Sequence, residues 1–175
     1  MASRSEIEQK GTKLAATLVP IASICGDDEL DTGLLKKMAE YSEKYISAFS
    51  WCEEVLESYF AGGVGGIFAV FFFRIKTKYP RVDPWIWIMG GSVPPAYLPL
   101  RHCNSAARAF DMYLEGMRKW VEYARKGQTG NDDQGVPPVN LPSTPEQAEE
   151  IHKRLEALVL AVKPFFEKLG ERDLG

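Results

Sequence analysis

The chain predicts an α+β domain: a small antiparallel β-meander of three to four strands flanked by helices, in the order ααβββαα. Three observations carry this. Gly62, Gly63, Gly65 and Gly66 separate two runs of strand-forming residues. A further such run, "WIWIMGG" from residue 85, follows a polar turn. On either side of these runs lie two pairs of segments with apolar residues at helical spacing.

The first helix is expected over residues 4 to 19, with Ile7, Gly11, Leu14, Ala15 and Leu18 on one stripe, ending near Pro20. After "GDDELDTG", which offers Asp31 or Thr32 as N-cap, a second helix runs to about Ser47. Its stripe is Leu34, Leu35, Met38, Tyr41, Tyr45 and Ile46. The first strand covers about Phe49 to Phe60, and its glutamates fall on both faces, as suits a sheet edge.

The four glycines then reverse the chain as a hairpin, because glycine takes φ > 0 without steric cost. A phosphate loop would need a helix after the glycines; Ile67, Phe68, Ala69, Val70 and three phenylalanines follow instead. A spanning helix needs about 20 apolar residues, and the uncharged run from Phe60 to Phe73 is shorter. The strand from Ile67 to Ile75 is apolar on both faces and must be covered on both.

In the third strand Trp85, Trp87 and Met89 share one face, with Ile86 and Ile88 on the other. "SVPPAYLPL" is an extended edge or a polyproline-like connection, since proline lacks the amide a ladder needs. Asn104 or Ser105 caps a helix over about 106 to 126, striped by Phe110, Tyr113, Leu114, Met117, Trp120, Val121 and Ala124. Residues 127–135 are expected as a mobile loop, and "VPPVNLP" as an extended segment across the surface. Ser143 caps the last helix, Pro145 sits in its first turn, Glu146 completes a capping box, and Pro164 kinks or interrupts it. Neither a repeat nor a boundary divides residues 1–175.

Composition narrows the function classes. The net charge is −3 and the pI about 5.5, with no dense Lys/Arg run, so nucleic acid is not an expected partner. No membrane segment is expected either. Cys25, Cys52 and Cys103 are odd in number and without a C-x-x-C, which favours reduced thiols in the cytoplasm. The charged N-terminus shows no secretory h-region.

His102, Cys103 and Asn104 suggest a nucleophile with its base. Such groups normally come together from distant segments, so a turn before a helix is the simpler reading. Two separated histidines give zinc little to bind, and no cofactor is predicted. Glu53 and Glu57 share a strand face about 13 Å apart, too far for a glycosidase pair at roughly 5–9.5 Å. Joined by Asp83 they offer a weak cation site. Trp85, Trp87, Tyr97 and Trp120, with Glu53, are candidates to wall an aromatic pocket between the sheet and the 106–126 helix. The same aromatic residues read more simply as core. "PPAY" at 94–97 matches a WW-domain ligand over four residues only.

"FSWCEEVLESYFAGGVGGIFAVFFFRI", "VDPWIWIMGGSVPPAYL" and "VPPVNLPSTPEQAEEIHKRL" together resemble a family of short bacterial proteins of unknown function. The resemblance covers about residues 35 to 165 and implies the order of elements, with no activity attached. Members often carry an Asp where this chain has Gly91, so a chemical role for that Asp is not expected here.

Two readings follow. One is a cytosolic interaction protein of the immunity or regulatory type. The other is a small enzyme or ligand binder using the aromatic pocket. Helices paired at the chain ends are expected on one sheet face, leaving the other to a second copy in a two-fold dimer. Cover by "VPPVNLP" within a monomer is the alternative.

Overall fold

Ser3 starts the first helix, α1 (Arg4–Ala15), through a complete capping box with Glu6. A computed structural model describes residues 2–174, with side-chain surroundings through residue 170. The sheet is antiparallel with five strands rather than three or four, in the order β1-β2-β3-β4-β5. These are β1 (Val19–Pro20), β2 (Glu54–Val64), β3 (Phe68–Lys76), β4 (Trp85–Gly91) and β5 (Ala96–Pro99). The two additional strands are the short outer ones. β1 pairs only Val19 with Phe60 and Pro20 with Tyr59, where a helix was expected to continue. β5 settles the proline-rich stretch as a true edge strand, with Ile88 opposite Tyr97.

The hairpin is tighter than the glycine cluster suggests. Gly62 and Gly63 lie inside β2, which starts later than expected and runs to Val64, and the reversal uses only residues 65–67. Ile67 N–H donates to Val64 O at 3.1 Å, and Gly66 has φ 77°, the left-handed position such a turn requires. Gly63 serves close approach instead, since a Cβ there would run into the Phe68–Ala69 backbone. At Gly91 a Cβ would overlap the Ile67 carbonyl, so the Asp implied by the resemblance has no room in this hairpin corner.

The second helix, α2 (Glu29–Ser47), is capped by Asp28, not by Asp31 or Thr32. Asp31 is used elsewhere: one carboxylate oxygen accepts from Gly65 N–H at 2.6 Å and the other from Asp27 N–H at 2.8 Å. It thereby ties α2 to the hairpin tip. Ser105 caps α3 (Ala106–Arg125). The last helix is α4 (Pro145–Leu174), and Pro164 lies within it without ending it. Thr144, rather than Ser143, accepts the first-turn amide, from Gln147 at 3.2 Å, so the expected box through Glu146 is not formed.

Both sheet faces are covered by the chain's own helices. Phe68, Val70, Phe72, Trp85, Trp87 and Met89 pack in one core with α1, α3 and α4. Ala69, Phe71, Phe73, Ile75, Ile86 and Ile88 pack in a second core with Leu35, Ala39 and Ile46 of α2. The expected bare face is therefore absent, and with it the reason for a second copy. The N-terminal helices separate because each apolar face gains about 1.5–3 kcal/mol per large side chain buried. The chain changes sides by rounding the β1–β2 edge.

Candidate functional site

The free edge of β5 opens onto a cleft of about 610 Å³. Its floor is β5 itself, and α3 supplies Arg108, Met112, Gly116 and Lys119 along one wall. Asp132 and the run Val136–Pro138 form another wall, with Pro137 packed against Gly116 of α3. That wall is held by local order. A 3₁₀ turn at Asp132–Gln134 carries a capping box from Asn131 to Gln134, and Val136 is buried in the core. Val139 and Leu141 pack against the same core, so "VPPVNLP" is anchored on the side of the sheet that α1, α3 and α4 cover.

Three tyrosines, Tyr45, Tyr97 and Tyr113, line the cleft. Tyr113 donates its hydroxyl to Pro94 O at 2.5 Å, and burial pushes its phenol well above the ordinary tyrosine range. Burial also pushes Tyr45 up, to about 12, with neighbouring Tyr97 and Tyr41 adding to the effect. Tyr97 is raised by burial and then by the charge of Asp132. All three phenols are thus neutral donors near pH 7. The hydroxyls of Tyr45 and Tyr97 have no hydrogen-bond partner among the described residues, although both residues line the cleft.

The rings behind these hydroxyls are fixed by their neighbours. Phe49 stacks on Trp51 with centroids 4.9 Å apart, and Tyr97 meets them at 5.2 and 5.1 Å. Tyr45 stands edge-on to Phe49 at 5.3 Å. A second cleft of about 1080 Å³ continues past Tyr45, Pro137 and Pro138 toward Phe49, Pro94 and Leu141.

Of the five residues singled out from sequence, only Tyr97 reaches the first cleft. Trp85 and Trp87 are fully buried on the opposite face, at 4.8 and 4.4 Å from Phe72. The Trp87 indole N–H donates to Cys103 O at 2.7 Å, whereas that of Trp85 is buried without a partner. Trp120 is a core residue whose edge borders the second cleft. Glu53 is exposed just before β2 and touches neither.

The register gives the reason: cross-strand partners share a face, so Tyr97 goes with Ile88, away from the tryptophans. Sequence reasoning passed over Tyr45, Tyr113, Met112, Arg108 and Asp132. The tyrosines were visible on apolar stripes, where a ring that packs and a hydroxyl that seeks a partner form a recognisable combination.

The other chemical candidates resolve into structure. Cys103 is buried, its thiol donates to Ser105 O at 3.3 Å, and burial pushes it up to about 11, so it remains a protonated thiol. His102 is exposed at the cleft mouth. Asp83 is buried against Arg101, accepting from its backbone N–H at 3.0 Å as well as from its guanidinium. Glu57 bonds Arg74 at 2.9 Å and accepts from the Tyr59 hydroxyl at 2.8 Å. Partial desolvation raises the Glu57 carboxyl, but these two partners outweigh it and the net direction is down. Asp83 and Glu57 are thus committed to protein cations. Among the described residues no cluster of three or more His, Cys, Asp or Glu side chains could hold a metal ion, and no helix is long and apolar enough to cross a membrane. The chain matches no protein-family model, no curated protein and no solved structure.

Proposed function

We propose that the protein is a cytosolic binding protein that takes a small amphipathic ligand in the cleft between β5 and α3. One observation carries the reading: Tyr45 and Tyr97 both line this cleft, and neither hydroxyl is committed to a protein partner among the described residues. A ligand group that reaches these hydroxyls replaces their water with a hydrogen bond in a partly enclosed site, without breaking any bond within the protein. The volume, about 610 Å³, falls in the range of small-molecule sites, roughly 300–1,000 Å³. Apolar walls from Met112, Leu98 and the proline rings suit the rest of such a molecule.

An interaction protein of the immunity or regulatory type would draw on the sheet that is apolar on both faces, and α2 buries one of those faces within the chain. A catalytic reading would draw on His102 and Cys103, and the thiol is turned into the core. Three free cysteines support a reducing compartment.

A thermal-shift screen against metabolites and metal ions, run on the wild type and on Y45F/Y97F, tests the reading. The double variant loses no internal hydrogen bond and should fold normally. Compounds that raise the melting temperature of the wild type should raise that of the variant less. Equal shifts in both proteins, or no stabilising compound at all, would overturn it.

A further inference from the structure

The cleft is electrically polarised along α3. At the end where β5 runs into the helix stand His102 and Arg108. Arg108 is exposed and forms no ion pair among the described residues. Its neighbours do not neutralise it. Arg101 is taken by Asp83, and Asp111, one turn along, lines a separate pocket with Phe110 and Lys163.

The first turn of α3 contains no acidic residue, so the positive end of the helix adds to the Arg108 charge instead of being offset. Lys119, the other cation of this wall, lies about 16 Å further along the helix at 1.5 Å per residue. Its ammonium is held over the Gly135 turn, and Glu115 stands four residues before it on the same helix face. Asp132 lines the cleft with Tyr97 near the Gly135 turn. Negative charge is therefore welcome at the Arg108 end and opposed at the Asp132 end.

Between the two ends lie the flat surfaces of the Tyr97 ring and of Pro137 and Pro138, with the exposed Glu115 carboxylate on the α3 side between Arg108 and Lys119. Resting on the binding function proposed above, we infer that the ligand is an aromatic carboxylate. Its ring lies between Tyr97 and the Pro137–Pro138 wall, and its carboxylate is held by Arg108. A hydroxyl or amine at the far end of the ring would donate to Asp132 or bond the Tyr45 and Tyr97 hydroxyls.

Matched pairs of probes test this: 4-hydroxyphenylacetate and indole-3-acetate against their carboxamides, by thermal shift and titration calorimetry, on the wild type and R108Q. A hydrogen bond to a charged group is worth enough that each carboxylate should bind about tenfold or more tighter than its amide. R108Q should erase that preference while melting, without ligand, as the wild type does. Amides that bind as well as the acids, or a preference that survives R108Q, would overturn the anion assignment and leave the cleft as a binding site. If neither acids nor amides bind, the aromatic-carboxylate inference fails, and the Y45F/Y97F screen then decides separately whether the cleft binds anything.

Discussion

Gly11 and Gly33 occupy helices and have opposite surroundings. A Cβ at Gly11 would overlap the indole ring of Trp85, while at Gly33 nothing lies within 4 Å. Gly11→Ala should therefore cost about 1–3 kcal/mol through overpacking. Gly33→Ala should gain up to about 1 kcal/mol by restricting the unfolded chain and favouring the helix. Urea unfolding of the two variants checks both signs. The cysteines divide in the same way. Cys25 is exposed, whereas Cys52 and Cys103 are buried and their thiols are pushed up by that burial. Thiol titration should find one fast group in the native protein and three after denaturation; three fast native groups would contradict the packing around β2 and α3.

At the level of elements, the β2–β3 hairpin and α2 are held as a unit. Asp31 accepts the Gly65 and Asp27 amides, and the left-handed Gly66 closes the turn beside them. Asp31→Ala leaves two backbone donors without their acceptor and should cost about 1–3 kcal/mol. Gly66→Ala should cost about 1 kcal/mol, because alanine resists φ near 77°. A double-mutant cycle on denaturant midpoints should show coupling, since both changes act on one turn; strict additivity would mean that Asp31 does not hold it. The exposed edge of β2 is managed by other means: irregular pairing near Leu56 and Ala61, the two-residue cover of β1, and charge at Glu53, Glu54 and Glu57.

For the molecule as a whole, the buried acids set an alkaline limit to stability. Tyr45 moves from 10.0 to about 12 and Cys103 from 9.0 to about 11, and Tyr113 also moves up. Each group has a folded value above its unfolded one. Its contribution is therefore complete below the unfolded pKa and is lost as pH rises through the folded value. The melting temperature should be level up to about pH 9 and fall progressively toward pH 12, with a shallower fall in Tyr45→Phe. A flat profile to pH 12 would mean that these groups are more hydrated than their burial indicates. Loss at acid pH should be smaller: Glu57, whose folded value is lowered, loses its contribution as pH falls through that value, and its partial exposure screens the effect.

The sequence by itself determined the elements whose signals are local. β3 and β4 are continuous apolar runs between turn residues, and α3 has both a serine cap and a long apolar stripe, so each falls within a residue or two of its expected place. It also showed that β3 must be covered on both faces. Which helix covers which face depended on where the chain rounds the sheet edge, and α2 went alone to the Ile86–Ile88 side. The short strands β1 and β5 exist only because longer neighbours offer them an edge. The candidate site belongs to the same class. Trp85, Trp87 and Tyr97 look alike in composition, yet the pairing of Tyr97 with Ile88 sends it to the other face. There it lines one cleft with Tyr45 and Asp132, residues 52 positions before it and 35 after it. Alternation along one strand is written in one strand; a cleft assembled from four segments is decided only when register and chain crossing bring them together.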